Sequence, residues 1–153
     1  MADANVHRSQ AILRMPVDYV DATMILHDGD RSEVIFLLPP GEDLGRVMTE
    51  GDAFIPTMRN AKICIVARAA IAALGITPPA TDESEDALPF QHQKVAIKLK
   101  SGMMLEGDLR WTAVPGQQRT ADYLNGDALM IELRTADKRF FVAKSQIEFV
   151  QEL

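Results

Sequence analysis

Residues 51–74 read GDAFIPTMRNAKICIVARAAIAAL, and residues 126–150 read GDALMIELRTADKRFFVAKSQIEFV. The two segments share one frame: Gly-Asp-Ala, an apolar stretch, Arg-Asn or Arg-Thr, then Val-Ala followed by Arg or Lys and a spaced apolar pair. The match extends upstream, where Pro40-Gly41 precedes Gly51 by the same interval that separates Pro115-Gly116 from Gly126. Further back, Asp28-Gly29 stands before one block as Ser101-Gly102 stands before the other. A repeat this detailed predicts two copies of one small fold.

The 153-residue chain has 47% hydrophobic and 25% charged residues, the profile of a folded globular protein. Two copies of about 55–65 residues each would be marginal alone, so each is expected to lean on its sister or on another chain. The boundaries expected are an N-terminal arm over 1–16, a first copy over 17–76, a linker over 77–93 and a second copy over 94–153.

Strand periodicity is clearest in the second copy. In Lys94–Lys100, Val95, Ile97 and Leu99 alternate with Ala or Lys, the period of a half-buried strand. Ser101-Gly102 turns it, and residues 103–109 return. Leu129–Leu133 and Arg139–Val142 flank a turn at 135–138, and Ile147–Val150 follows a bend at Lys144-Ser145. Ile131 and Phe141 are expected to face the second copy's core. The first copy maps onto the same plan, with a hairpin at Asp28-Gly29 and strands near 23–26, 33–38, 54–58 and 62–66. Pro56 cannot donate to a ladder, which predicts an edge or a broken strand there. Residues 67–74 have high helix propensity, but the repeat places a bend and a strand there, and that reading is preferred.

The linker, Thr77-Pro78-Pro79 onward, carries Asp82, Glu83, Glu85 and Asp86 and cannot build a core. Solvated acids explain it better than a metal site. The net charge of −6 divides unevenly: seven basic against ten acidic residues in 1–75, none against four in 76–93, nine against eight in 94–153. Such a field weighs against nucleic acid as the main partner. Cys64 stands alone, so neither an internal disulfide nor a cysteine zinc site is expected, and its apolar neighbours suggest a buried small side chain. No apolar run approaches a membrane span and no signal-peptide core is evident, so a cytoplasmic location without membrane contact is expected.

Residues 94–150 resemble the Sm/LSm family of small five-stranded, SH3-like barrels. The run Val95-x-Ile97-x-Leu99-x-x-Gly102-x-x-Leu105-x-Gly107-x-Leu109 follows the first Sm motif, and Ala121-Asp122-Tyr123-Leu124-Asn125 approximates its end. Phe141-Val142-Ala143-Lys144, with Ile147 and Val150, approximates the second motif. The chain departs from the pattern in a loop over 111–119 and in Ala143-Lys144 where the family has Arg-Gly. The resemblance implies a mainly β fold of two tandem barrels, the first degenerate. It also implies a base-binding pocket in which Tyr123 stacks, Asn125 reads an edge and Lys144 supplies charge. The plainer reading of the same residues is that Tyr123 packs the barrel mouth and Asn125-Gly126 forms a turn.

Trp111 is expected either as a core anchor or as an interface residue, with Arg110 and Arg119 flanking the adjoining loop. His27 beside Asp28-Gly29-Asp30 reads as a polar hairpin tip, since its spacing fits no calcium loop. No phosphate loop, nucleophile elbow or zincin motif occurs in the sequence. The expectation is therefore a non-catalytic protein without cofactor. It would act through protein–protein contacts and homo-oligomeric assembly, because a short open barrel leaves strand edges in need of partners. Single-stranded RNA binding by the second copy is the alternative, and a small-ligand crevice between the copies is a third.

Overall fold

The computed structural model describes residues 16–78, 90–112, 114–116 and 118–153. The expected arm up to Met15 and the four linker acids lie outside these residues. The fold is mainly β. Among the described residues ten strands run in chain order: β1 (Asp18–Leu26), β2 (Arg31–Leu38), β3 (Phe54–Arg59), β4 (Lys62–Ala67), β5 (Ile71–Ile76), β6 (Phe90–Leu99), β7 (Met104–Thr112), β8 (Met130–Arg134), β9 (Arg139–Ala143) and β10 (Ile147–Glu152). β6 begins at Phe90, inside the segment expected as linker.

All ten strands form one open antiparallel sheet in the order β10-β6-β7-β8-β9-β5-β1-β2-β3-β4. The halves repeat one order. The first reads β5-β1-β2-β3-β4 and the second β10-β6-β7-β8-β9, strand for strand. They join where β9 pairs with β5, setting Ala73 opposite Val142, Leu74 opposite Phe141, Gly75 opposite Phe140 and Ile76 opposite Arg139. This one ladder joins the two halves into a single sheet. Among the described residues no ladder closes either half on itself.

Local chemistry explains the repeated details. Both leading hairpins turn on a glycine at positive φ, Gly29 at 92° and Gly102 at 96°, a conformation that a side chain strains. The Asp28 carboxylate accepts the Asp30 N–H at 3.0 Å and tightens the first turn. The preferred reading of 67–74 agrees with the structure: a 3₁₀ turn at Arg68–Ala70 leads into β5. The second half has the equivalent turn at Lys144–Gln146 before β10. The β1–β5 ladder slips one residue between Leu26↔Ile71 and Ile25↔Ala73. The β6–β10 ladder slips at the corresponding place, between Leu99↔Ile147 and Lys98↔Phe149. A bulge kept at one position in both halves bends both closing strands alike.

Of the two outcomes expected for Pro56, the edge position is not found. β3 is the second strand from the edge, paired with both β2 and β4. The β2 ladder, however, reaches only Met58 and Thr57, so it has ended where Pro56 would have to donate.

Among the described residues two short α-helices add to the strand pattern expected from the sequence. In α1 (Leu44–Glu50) the Asp43 carboxylate accepts the Gly45 N–H at 2.7 Å, and Leu44, Val47 and Met48 are buried on one face. In α2 (Thr120–Leu124) the Asp122 carboxylate reaches back to the Arg119 N–H at 3.1 Å.

Two apolar clusters lie along the sheet and exchange residues across the joint. The first contains Met24, Phe36, Leu38 and Leu74, together with Phe141 from the second half. The second contains Val95, Ile97, Leu99, Leu109, Trp111 and Ile131, together with Ile25, Ala72 and Ala73 from the first half. Ile131 therefore faces the second core as expected, but Phe141 does not. β9 has a neighbouring core on each side, so Phe140 and Val142 serve the second while Phe141 crosses into the first.

Candidate functional site

Among the described residues the outermost strands β4 and β10 each have a ladder on one side only. In β4, Lys62-Ile63-Cys64-Ile65-Val66-Ala67, Val66 and Cys64 pack against the first core, whereas Ile63 is 52% and Ile65 64% exposed. In β10, Ile147 and Val150 pack against the second core, whereas Phe149 is 43% exposed and Leu153 just beyond is also exposed. An exposed edge bearing large apolar side chains is a template for further strand pairing. Lys98 covers part of this surface, with its Nζ 5.8 Å from the Phe149 ring centre and 3.6 Å from the Glu148 carboxylate.

The residues expected to bind a base are brought near one another but are engaged within the fold. The Tyr123 ring stacks on Trp111 with centroids 5.2 Å apart and planes 10° apart. Its hydroxyl accepts the Glu132 N–H at 3.4 Å, and burial pushes the phenol's pKa up. Asn125 ends α2, where its backbone N–H reaches the Ala121 carbonyl. The Lys144 ammonium donates to the Gly126 carbonyl at 2.9 Å. In the first half the Arg68 guanidinium donates to the Gly51 carbonyl. The repeat thus gives both basic residues the same role. After the fourth strand of each half, a cation clamps the carbonyl at the end of the helix.

Trp111 is buried at 7% exposure in the second core, with its indole Nε1 lacking a hydrogen-bond partner among the described residues. Arg110 lies in β7 opposite His92. Arg119 is tied to Asp122 by paired contacts at 3.1 and 3.2 Å, which hold the carboxyl below its ordinary pKa and the guanidinium above its own. Of these three residues, Trp111 belongs to the core, Arg110 lies in a ladder and Arg119 stands at the start of α2.

The His27 N–H donates to the Ala70 carbonyl at 2.8 Å, and Asp30 pairs with Arg59 at 3.7 Å across neighbouring hairpins. No group of three or more His, Cys, Asp or Glu side chains suited to a metal occurs among the described residues. A groove of about 570 Å³ lies in the first half, between β3 and α1, with Val17, Leu37 and Phe54 in its wall and Arg46 and Glu50 among its polar groups. It is not a crevice between the halves, the location that a ligand between the copies would require. No helix among the described residues is long and apolar enough to cross a membrane.

Open strand edges follow from the sequence as a principle but not as residues. The signal lies in the repeat itself: Ile63 and Ile65 occupy the positions of Arg139 and Phe141, which the internal joint covers. Comparison with family models, with characterised proteins and with solved structures finds no significant match to this chain.

Proposed function

We propose that this chain is a non-catalytic assembly module, made of two barrel-like five-stranded units, that works as a homo-oligomer by extending its sheet. The single observation supporting this is the state of the two outer strands: both edges are open, and both carry exposed large apolar residues. Fully burying a side chain of this size contributes about 1.5–3 kcal/mol. A contact covering Ile63, Ile65 and Phe149 would add this to its backbone hydrogen bonds. We place the module in the cytoplasm, a setting that suits its single free thiol.

The single-stranded RNA reading draws no support from the arrangement of Tyr123, Asn125 and Lys144. One face of the aromatic ring is already stacked, and the ammonium is held by a carbonyl.

Static light scattering tests the proposal. At tens of micromolar the wild-type mass is expected to be a multiple of the chain mass. Ile65→Lys should return it to one chain with little change in melting, because Ile65 is mostly in water within a single molecule. A wild-type protein that stays monomeric over this range ends the assembly reading.

A further inference from the structure

We propose that the groove in the first half is a binding site for a small aromatic cation, a flat ring carrying an ammonium group. The site follows from comparing the same place in the two halves. The β2–β3 ladder consists of Ile35↔Met58 and Phe36↔Thr57, and the β7–β8 ladder of the corresponding Asp108↔Arg134 and Leu109↔Leu133. Beyond these pairs, among the described residues, neither ladder continues. Leu38 then corresponds to Trp111, and Pro56 to Glu132. The last two stand opposite Ile65 and Phe141 in equivalent ladders, which fixes the correspondence.

In the second half the fold fills this fork with one of its own rings. Tyr123 stacks on Trp111 at 5.2 Å and its hydroxyl accepts the Glu132 N–H at 3.4 Å, so it bridges β7 and β8. In the first half the residue three before the glycine that ends the helix is Met48, and Met48 is buried in the first core. Between the strands lies the groove of about 570 Å³. Leu37 and Leu38 both line it, as do Ile55 and Pro56. Successive strand residues point to opposite faces. A space bounded by both members of each pair therefore lies between β2 and β3 rather than on one face of the sheet. Its volume is within the range of small-ligand pockets, about 300–1,000 Å³.

Three features define the ligand. A ring is what the equivalent place holds in the second half, and Leu37, Phe54 and Ile55 offer it apolar surroundings. No hydroxyl is required, since Pro56 has no N–H to satisfy where Glu132 has one. The charge follows from the polar residues of the wall, Glu42, Glu50 and Asp52 against Arg46. The Arg46 Nε lies 3.1 Å from the Glu50 carboxylate. That pair leaves the carboxylates of Glu42 and Asp52 without a cation in the groove wall, which favours a positive ligand and repels phosphate or carboxylate. No residue of β4 or β10 lines the groove, so the inference goes beyond the assembly reading and does not need it.

Tryptamine is the probe, titrated calorimetrically into the full chain. It is compared with indole-3-acetate, which has the same ring and the opposite charge, and with hexylamine, which has the charge without a ring. Tryptamine is expected to bind with a dissociation constant on the order of 0.1–1 mM, as suits a ligand of about a dozen heavy atoms. Both comparison compounds should bind at least about tenfold more weakly. Glu42→Gln combined with Asp52→Asn should remove most of the preference over indole-3-acetate. Phe54→Ala should weaken tryptamine at least about fivefold. The Phe54 ring is 63% exposed, so this variant should melt like wild type.

Amide chemical shifts of the wild type place the ligand, with the largest changes expected at Val17, Leu38, Phe54 and Ile55. Failure of tryptamine to bind at several millimolar overturns the site. Equal binding of indole-3-acetate overturns the cation, and equal binding of hexylamine overturns the ring. Shifts centred on Trp111 instead of Phe54 would place the ligand in the other half and end the proposal.

Discussion

Tyr123 shows how one residue can satisfy a motif and still serve another purpose. Its place before Asn125 suits a stacking site for a base, yet the ring lies against Trp111 and the hydroxyl is directed to the β8 backbone. The aromatic is visible in the sequence but its orientation is not, because α2, which turns it inward, is only five residues long and carries a weak periodic signal. Lys144 is likewise legible as a cation at a bend, whereas its clamp on Gly126 becomes clear only beside Arg68 and Gly51. The Tyr123 environment has a consequence for pH. Burial raises the folded-state pKa of the phenol, so its contribution is fully present below the unfolded value of about 10 and is lost as pH rises through the folded one. Wild type should therefore lose melting temperature more steeply than Tyr123→Phe in the alkaline range. Parallel curves from neutral to strongly alkaline pH would show that the phenol is not linked to folding.

At the scale of the element, β3 and β4 form the hairpin that presents one open edge. Asn60 and Ala61 both have positive φ, 52° and 60°, between the opposed residues Arg59 and Lys62. This is the two-residue loop that matches strand twist, and its preferred sequence ends in glycine. Asn60 tolerates the conformation, while Ala61 bears a cost of about 1–2 kcal/mol for an L-residue in the left-handed region. Ala61→Gly should raise stability by a few tenths to about 1 kcal/mol, after the greater chain entropy of glycine is subtracted. Urea unfolding measures this, and an unchanged or lower midpoint would mean the strain is absent. The elements most legible in the sequence are those with clean alternation, such as β7, where Leu105, Leu109 and Trp111 are buried between exposed or half-buried neighbours. α1 is hard to see in the sequence although Leu44, Val47 and Met48 have helical spacing behind Asp43. Its seven residues fall between two halves of a β pattern, where short apolar runs favour neither period strongly.

For the molecule as a whole, duplication is readable from residues 51–74 and 126–150, but the way the copies meet is not. Separate copies and copies joined in one sheet have the same strand pattern and differ in whether β9 finds β5. Phe141 departs from its expected core for this reason, since alternation gives a side chain's face but not which unit lies beneath it. Sharing residues across the joint should make unfolding a single event. Ile131, fully buried in the second core, is the probe: Ile131→Ala should cost about 2–5 kcal/mol. Trp111 fluorescence and Cys64 thiol reactivity, one reporter in each half, should shift together. A first half that keeps its thiol protected while the second has melted would show the cores to be independent.

The β9–β5 joint also bears on how readily larger complexes start. A covalent tether replaces one dilute encounter by a local event, with effective concentrations that reach the millimolar range for short flexible connections. Every second seam in an extended array would then be prepaid at synthesis, and only the alternate seams would depend on protein abundance. Growth would begin at scarcer chain levels than for a single-copy ancestor, and its increments would always be pairs.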